Sequence, residues 1–293
     1  MASITLLSYA DKNFRVQQHF CCLSARLIGG FDAILKLGPD DIDPLFKEKN
    51  SSILSNKKGG GYWLWKPYLI RKALGSVLEN EYVFYADSGC FFIKNPRRYF
   101  EDKCCGLMQD IVAFELPLIE KQWTKKQVFK NLGCDTAFFH ESNQIQGGFI
   151  LARNTQYARE FFDELISLAE EEVNITDSNS LEGQIDQFIE HRHDQSLFSL
   201  LYKKKGMIPL PDITQFGRSP TLYLPRKWRA LNYRLGKTYI CSNILFRVNL
   251  IPATRDYCIY LSRSYSPFLA IASLLLYRLK TLVGSLGRDL LTQ

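Results

Sequence analysis

Apolar residues recur along this chain with two different periods, and the switches between them mark out its elements. Ile4–Tyr9 is a compact β-branched and aromatic run ending at Ala10-Asp11, and predicts a first strand. From Phe14 to Ile28 the spacing becomes helical and stops at Gly29-Gly30. Phe31–Leu37 predicts a second strand, closed by Gly38-Pro39. Residues 50–61, made of Ser, Asn, Lys and Gly for the most part, predict a mobile loop. A helix is expected to open at Lys66-Pro67, where no N–H is needed, and to run to Leu74. Tyr82–Ala86 predicts a buried strand, cut by Asp87-Ser88-Gly89. Thr124–Gln127 has the spacing of a capping box, Gln144–Leu151 predicts a strand, and Thr155–Val173 and Leu181–Leu201 predict long helices.

Strands alternating with helices predict an α/β, Rossmann-like fold: an open, mostly parallel sheet flanked by helices. Ligands in such sheets sit at the carboxyl ends of the strands, which places Tyr9-Ala10-Asp11 and Asp87-Ser88-Gly89 at one cleft. The expected organisation is an α/β domain over 1–215, a basic aromatic-rich extension over 216–265 and an amphipathic helix over 266–293. Leu275, Leu276, Leu279, Val283 and Leu286 share one face of that last helix.

Composition excludes disordered and disulfide-scaffold classes, since 46% of 293 residues are hydrophobic and the eight cysteines show no C-x-x-C spacing. The opening segment has no basic stretch before its short apolar run, so no signal peptide is expected, and a reducing cytoplasm is the expected compartment. Charge is unevenly spread. From residue 200 onward, fifteen Lys and Arg face three acids, Asp212, Asp256 and Asp289, although the whole chain carries only +7. A basic tail of this kind suits an anionic partner: nucleic acid, a diphosphate or a lipid surface. Arg278 and Lys280 interrupt the apolar run of the tail, which favours a helix lying in the cytoplasmic membrane interface over one that spans it. No helix-turn-helix, zinc-finger or RNP signature supports nucleic acid.

A carboxylate at the end of a buried strand, followed by small residues, can project into a cleft and hold a hard cation that a diphosphate completes. Asp87 is placed for this, and equally for capping a turn.

Three blocks together resemble the GT-A glycosyltransferases, in particular the bacterial and viral branch near families 8 and 32. Tyr85-Ala86-Asp87-Ser88-Gly89 is similar to that family's Y-x-D-x-G signature. Gln144–Leu151 is similar to its donor-pocket strand, and His191–Leu200 to the D-Q block opening a late helix. The resemblance implies transfer of a sugar, with retention, from a nucleotide sugar such as a UDP-sugar to a saccharide hydroxyl. The acceptor would be lipid-linked, in lipopolysaccharide or capsule synthesis. It further implies donor contacts from Tyr9, Ala10, Asp11, Lys66, Asp87, Ser88, Gly89, Gln146, Gly147 and Gly148, with Asp194 and Gln195 beneath the sugar. Trp63, Trp65 and His193 would meet the acceptor, although one of the two tryptophans is expected in the core. Asp87 would also hold a divalent metal, Mn²⁺ or Mg²⁺. The second acid of the signature is Gly89 here, so His140, His191 or His193 would have to replace it, or Lys57, Lys58 and the tail arginines would neutralise the diphosphate directly. Other readings are a nucleic-acid-binding protein using the basic third, and a sugar-binding relative without turnover.

Overall fold

The computed structural model describes residues 2–104, 109–178, 183–218, 233–235, 238–241, 244–247 and 257–261, together with positions 268 and 272. Its strands are β1 (Ile4–Tyr9), β2 (Ala33–Leu37), β3 (Tyr82–Ala86), β4 (Cys90–Phe92), β5 (Ile111–Ile119) and β6 (Asn143–Arg153). After these come β7 (Leu210–Pro211), β8 (Tyr233–Leu235), β9 (Thr238–Cys241), β10 (Ile244–Arg247) and β11 (Ile259–Leu261). The main sheet has the order β2-β1-β3-β6-β5-β10-β9-β8, with β7 alongside β5. β1 is parallel to β2 and β3, whereas β6 runs antiparallel to both β3 and β5. The sheet is therefore mixed: β3 and β5 share a direction, with one reversed strand between them.

Alternation along β3 divides the core. Val83 and Tyr85 join Leu7, Ile150, Phe162 and Phe198 beneath the helices Trp65–Leu74, Gln156–Glu170 and His193–Lys204. Phe84 and Ala86 point the other way, to Leu6, Phe92, Phe100, Phe149 and the helix Arg15–Ser24 through Cys21. Phe84 is fully buried against Phe31, Phe92, Phe100 and Phe149. Its truncation to Ala would cost about 3–5 kcal/mol.

Four local expectations change. Residues 50–61 contain helical turns at Ser51–Leu54 and Gly59–Tyr62 rather than an open loop. The capping box at Thr124 does not form: Lys125 is the N-cap of Lys126–Asn131, and the Thr124 hydroxyl donates instead to Glu120 at 2.5 Å. Of the predicted helix Leu181–Leu201, positions 181 and 182 lie outside the described residues, 183–192 are not helical, and the helix runs from His193 to Lys204. Thr155 does cap its helix by accepting from the Ala158 N–H at 3.2 Å, but that helix ends at Glu170. The strand β5 had no counterpart in the pattern, because it is buried along nearly its whole length and carries Pro117. Most of the basic extension, and the amphipathic helix over 266–293 apart from positions 268 and 272, lie outside the described residues. Among the described residues, no helix is long and apolar enough to cross a membrane.

Candidate active site

The residues expected at the cleft meet where β3 ends beside the reversed strand. Ala86 pairs with Phe149, and the Asp87 N–H donates to the Gly148 carbonyl at 2.9 Å. Because β6 is antiparallel, its entering half lies at the same rim as the exit of β3, so Gln146, Gly147 and Gly148 come beside Asp87. A Cβ on residue 148 would stand 2.8 Å from Asp87 Oδ2. Only glycine lets the carboxylate lie across that backbone. The Tyr85 hydroxyl donates to Asp87 Oδ1 at 2.7 Å, and the Asp87 side chain stays 44% exposed.

Lys66 enters this cluster from the helix Trp65–Leu74. Its buried ammonium pairs with Asp194 Oδ2 at 2.7 Å, donates to the Gly147 carbonyl at 3.1 Å and lies 3.8 Å from Asp87 Oδ1. It also sits 5.3 Å from the centre of the Tyr85 ring, within cation–π range. Burial alone would lower the lysine pKa, but the two aspartates outweigh it and hold the ammonium above the ordinary lysine value. Burial pushes the Asp194 carboxyl up to about 6, against the opposing pull of Lys66. Both directions are compatible at neutral pH, where the pair is ionised. With Asp87 the three groups then carry one net negative charge.

Gln195 follows on the same helix and is held by a chain of amides. The Gly147 N–H donates to Gln195 Oε1 at 3.1 Å, Gln195 Nε2 donates to Gln144 Oε1 at 2.7 Å, and Gln144 Nε2 donates to Glu120 Oε1 at 3.1 Å. Glu120 is fully buried, and it also accepts from Thr124, from Ser199 at 2.5 Å and from Lys203 at 2.6 Å. An ionised carboxylate only accepts, so Glu120 fixes the sense of every amide above it. No local pattern marked Glu120, Ser199 or Lys203, because their partners other than Thr124 lie 24 to 83 residues from Glu120. Gln146 is buried too, with its side-chain oxygen making no hydrogen bond to the protein. Lys66, Gly147 and Asp194 also line a cavity with Ile70, Phe162, Leu165 and Phe198, which Asp87 does not reach. That cavity belongs to the core side.

The two tryptophans separate. Trp65 is 5% exposed, stacks on Tyr9 with centroids 3.7 Å apart and donates from Nε1 to the Gly59 carbonyl at 2.9 Å. It is the core tryptophan, which removes it from the acceptor set. Trp63 is half-buried and stacks on His193 at 5.6 Å. Residues 59–63 all have positive φ, from Gly59 through Tyr62 at 52° and Trp63 at 62°, and His193 has φ 48°. Strained backbone of this kind tends to gather at functional sites. A Cβ on residue 59 would stand 2.4 Å from the Trp63 ring, so the fold-back needs glycine there.

The remaining expected residues divide between cleft and scaffold. Tyr9 is buried, which with Asp11 nearby pushes its hydroxyl up to about 12; Ala10 is buried and donates its N–H to Leu37. Asp11 accepts from the Asn13 backbone at 2.9 Å and so caps a turn. Ser88 is buried and Gly89 half-buried beside Asp87. His193 Nδ1 lies 2.7 Å from the Ile175 carbonyl and His191 Nε2 2.7 Å from that of Asn174. Burial lowers both of their pKa values. His140 pairs with Asp135 at 2.9 Å.

A bound divalent metal would need ligands that this cluster does not assemble. Among the described residues, no three His, Cys, Asp or Glu side chains are placed to hold one. Asp87 offers one carboxylate, and its Oδ1 is already shared by the Tyr85 hydroxyl and the Lys66 ammonium. The described side chains thus supply no closed metal site of their own, and Asp87 is the partly exposed carboxylate that the cluster leaves for a cation completed by other ligands.

Neither a family model nor a curated protein matches the chain. Several solved structures are similar to it. Mouse xyloside xylosyltransferase 1, apo form, has 13% identity and a TM-score of 0.49 over 91% of this chain and 99% of that one. The galactosyltransferase LgtC, in complex with donor and acceptor sugar analogues, has 11% identity and a TM-score of 0.46 over 89% and 87%. The apo glycosyltransferase GlyE of Streptococcus pneumoniae has 17% identity and a TM-score of 0.44 over 90% and 55%, so the chain spans about half of that protein.

Proposed function

We propose that the protein is a glycosyltransferase that moves a sugar from a nucleotide donor to a saccharide hydroxyl. One observation carries this reading: Lys66, Asp87, Gly147, Gly148, Asp194 and Gln195, drawn from four separate segments, meet around one partly open carboxylate. Asp87 accepts hydrogen bonds from the ribose of the donor. The glycine pair forms a floor without side chains, on which the sugar lies close to Asp194 and Gln195. A methyl group on residue 147 would approach Gln195 Cβ to 3.2 Å and Asp194 Oδ2 to 3.4 Å, so a larger residue would fill this floor.

Cleavage of the anomeric C–O bond leaves an oxocarbenium-like centre and an anionic diphosphate. The Asp194 carboxylate, oriented by Lys66, supports the first. The cluster is itself net negative, so in this reading the diphosphate is neutralised by groups added to it: a divalent metal at Asp87, or Lys57, Lys58 and the arginines of the cationic surplus after residue 200. UDP is the nucleotide we favour, with retention of configuration, a lipid-linked acceptor and a role in lipopolysaccharide or capsule synthesis at the cytoplasmic face of the membrane. Residues 1–215 form the catalytic domain in this reading.

A thermal-shift screen of UDP- and GDP-sugars, with and without Mn²⁺, followed by transfer assays with any stabilising donor, tests it. One donor should raise the melting temperature in the wild type and not in Asp87→Ala. No shift and no transfer across the panel would end the proposal.

A further inference from the structure

We propose that the helical segment Arg15–Gly29 is a docking face for an anionic lipid surface. This rests on the outer surface of the domain and not on the reading of the cleft. The segment is an α-helix, Arg15–Ser24, that continues into a π-helical turn, Ala25–Gly29. Its inner face is Gln17, Gln18, Cys21, Cys22 and Ala25, all buried. Its outer face is not polar. Val16 is 52% exposed, Leu23 38%, Leu27 73% and Ile28 43%, and Phe20 is half-buried between them.

Positions 16, 20, 23 and 27 follow the i, i+4, i+7, i+11 spacing of one helical stripe. Four of the ten large apolar side chains exposed among the described residues thus fall within thirteen positions, whereas Leu45, Leu78, Phe138 and Ile208 are scattered singly. Scattered apolar residues need no explanation, but a contiguous stripe does.

Charge decides what covers it. Between Asp11 and Asp32 the chain has no acid, while Lys12, Arg15 and Arg26 are all exposed. On a helical wheel Arg15 and Arg26 fall on the same flank of the apolar stripe. A second copy of the chain would bring these cations against their own kind, with no acid on the segment to answer them. Anionic headgroups would neutralise them while the apolar stripe entered the acyl boundary, as interfacial helices do.

The test uses the full chain and vesicles of phosphatidylcholine, with or without about one third phosphatidylglycerol, in co-sedimentation at low and high salt. The wild type should bind the anionic vesicles, and less so as salt rises. Leu23→Asp/Leu27→Asp should lower partitioning by about tenfold or more, and Arg15→Glu/Arg26→Glu should lower the preference for phosphatidylglycerol by about fivefold or more, the basic tail retaining the remainder. All four positions are exposed, so circular dichroism and melting temperature should stay as in the wild type. Absence of vesicle binding, or binding that both variants leave unchanged, overturns the proposal. So does a wild-type dimer in sedimentation velocity that Leu23→Asp/Leu27→Asp dissociates, because the stripe would then belong to a second copy.

Discussion

Among the described residues two lysine–carboxylate pairs are buried, and they are built to different ends. Lys203–Glu120 is closed: Glu120 takes donors from Thr124, Gln144, Ser199 and Lys203, and none of its surface reaches solvent. Lys66–Asp194 is open on one side. Lys66 is shared with Asp87, and burial leaves Asp194 with a pKa pushed up to about 6. A lysine and a carboxylate thus make a fixed support in one place and an open, proton-binding pair in the other. What separates them is how completely the carboxylate is satisfied.

The sharpest way to break this contrast is Asp87→Ala, which removes the exposed member of the open cluster. On the proposed function, transfer at fixed donor should fall by about a thousandfold or more, with unfolding free energy changed by less than about 1 kcal/mol. A large loss of stability would make Asp87 part of the scaffold.

Glu120→Ala should do the reverse. It strands Lys203 and three neutral donors in the interior, and urea denaturation should show a loss of about 3–5 kcal/mol. If the protein kept its stability, the closed pair would not be the support described.

Asp194→Asn reads the open pair through pH. A carboxyl whose pKa is raised on folding binds its proton more tightly in the native state, so its contribution is full below about 4 and is lost as pH rises through about 6. This change should be worth up to about 3 kcal/mol in the wild type and should be missing from the asparagine variant. Parallel stability–pH curves for the two proteins between pH 4 and 7 would contradict the assignment.

The smallest effect is expected from Gly148→Ala. The added methyl displaces the Asp87 carboxylate without touching either buried pair, so the KM for the donor should rise about tenfold while the melting temperature barely moves.

Much of this arrangement was legible in the residue pattern. The run Tyr82–Ala86 ending in Asp87, the glycine pair at 147 and 148, and Asp194 beside Gln195 each announce a local structure, and the fold brings them together. The direction of β6 was not legible, since a strand buried along both faces reads alike in either sense. Nor was the Glu120 network, whose members lie 24 to 83 residues from Glu120 apart from Thr124. The pattern left open which of the two tryptophans is core, and choosing Trp65 required the Tyr9 ring.

The reversal of β6 also bears on how such a cleft can be altered. One strand leaves the rim as its neighbour arrives, so the acid at 87 and the glycines at 147 and 148 are adjacent rungs of a single ladder, not the tips of independent loops. Insertions in the long connection between β3 and β6 could then accumulate without moving the rungs, whereas a one-residue slip within β6 would carry a glycine off the Asp87 rung and turn the side chains of that strand to the opposite layer. On the proposed function, engineering toward other donors should therefore vary the surrounding connections and leave the ladder untouched.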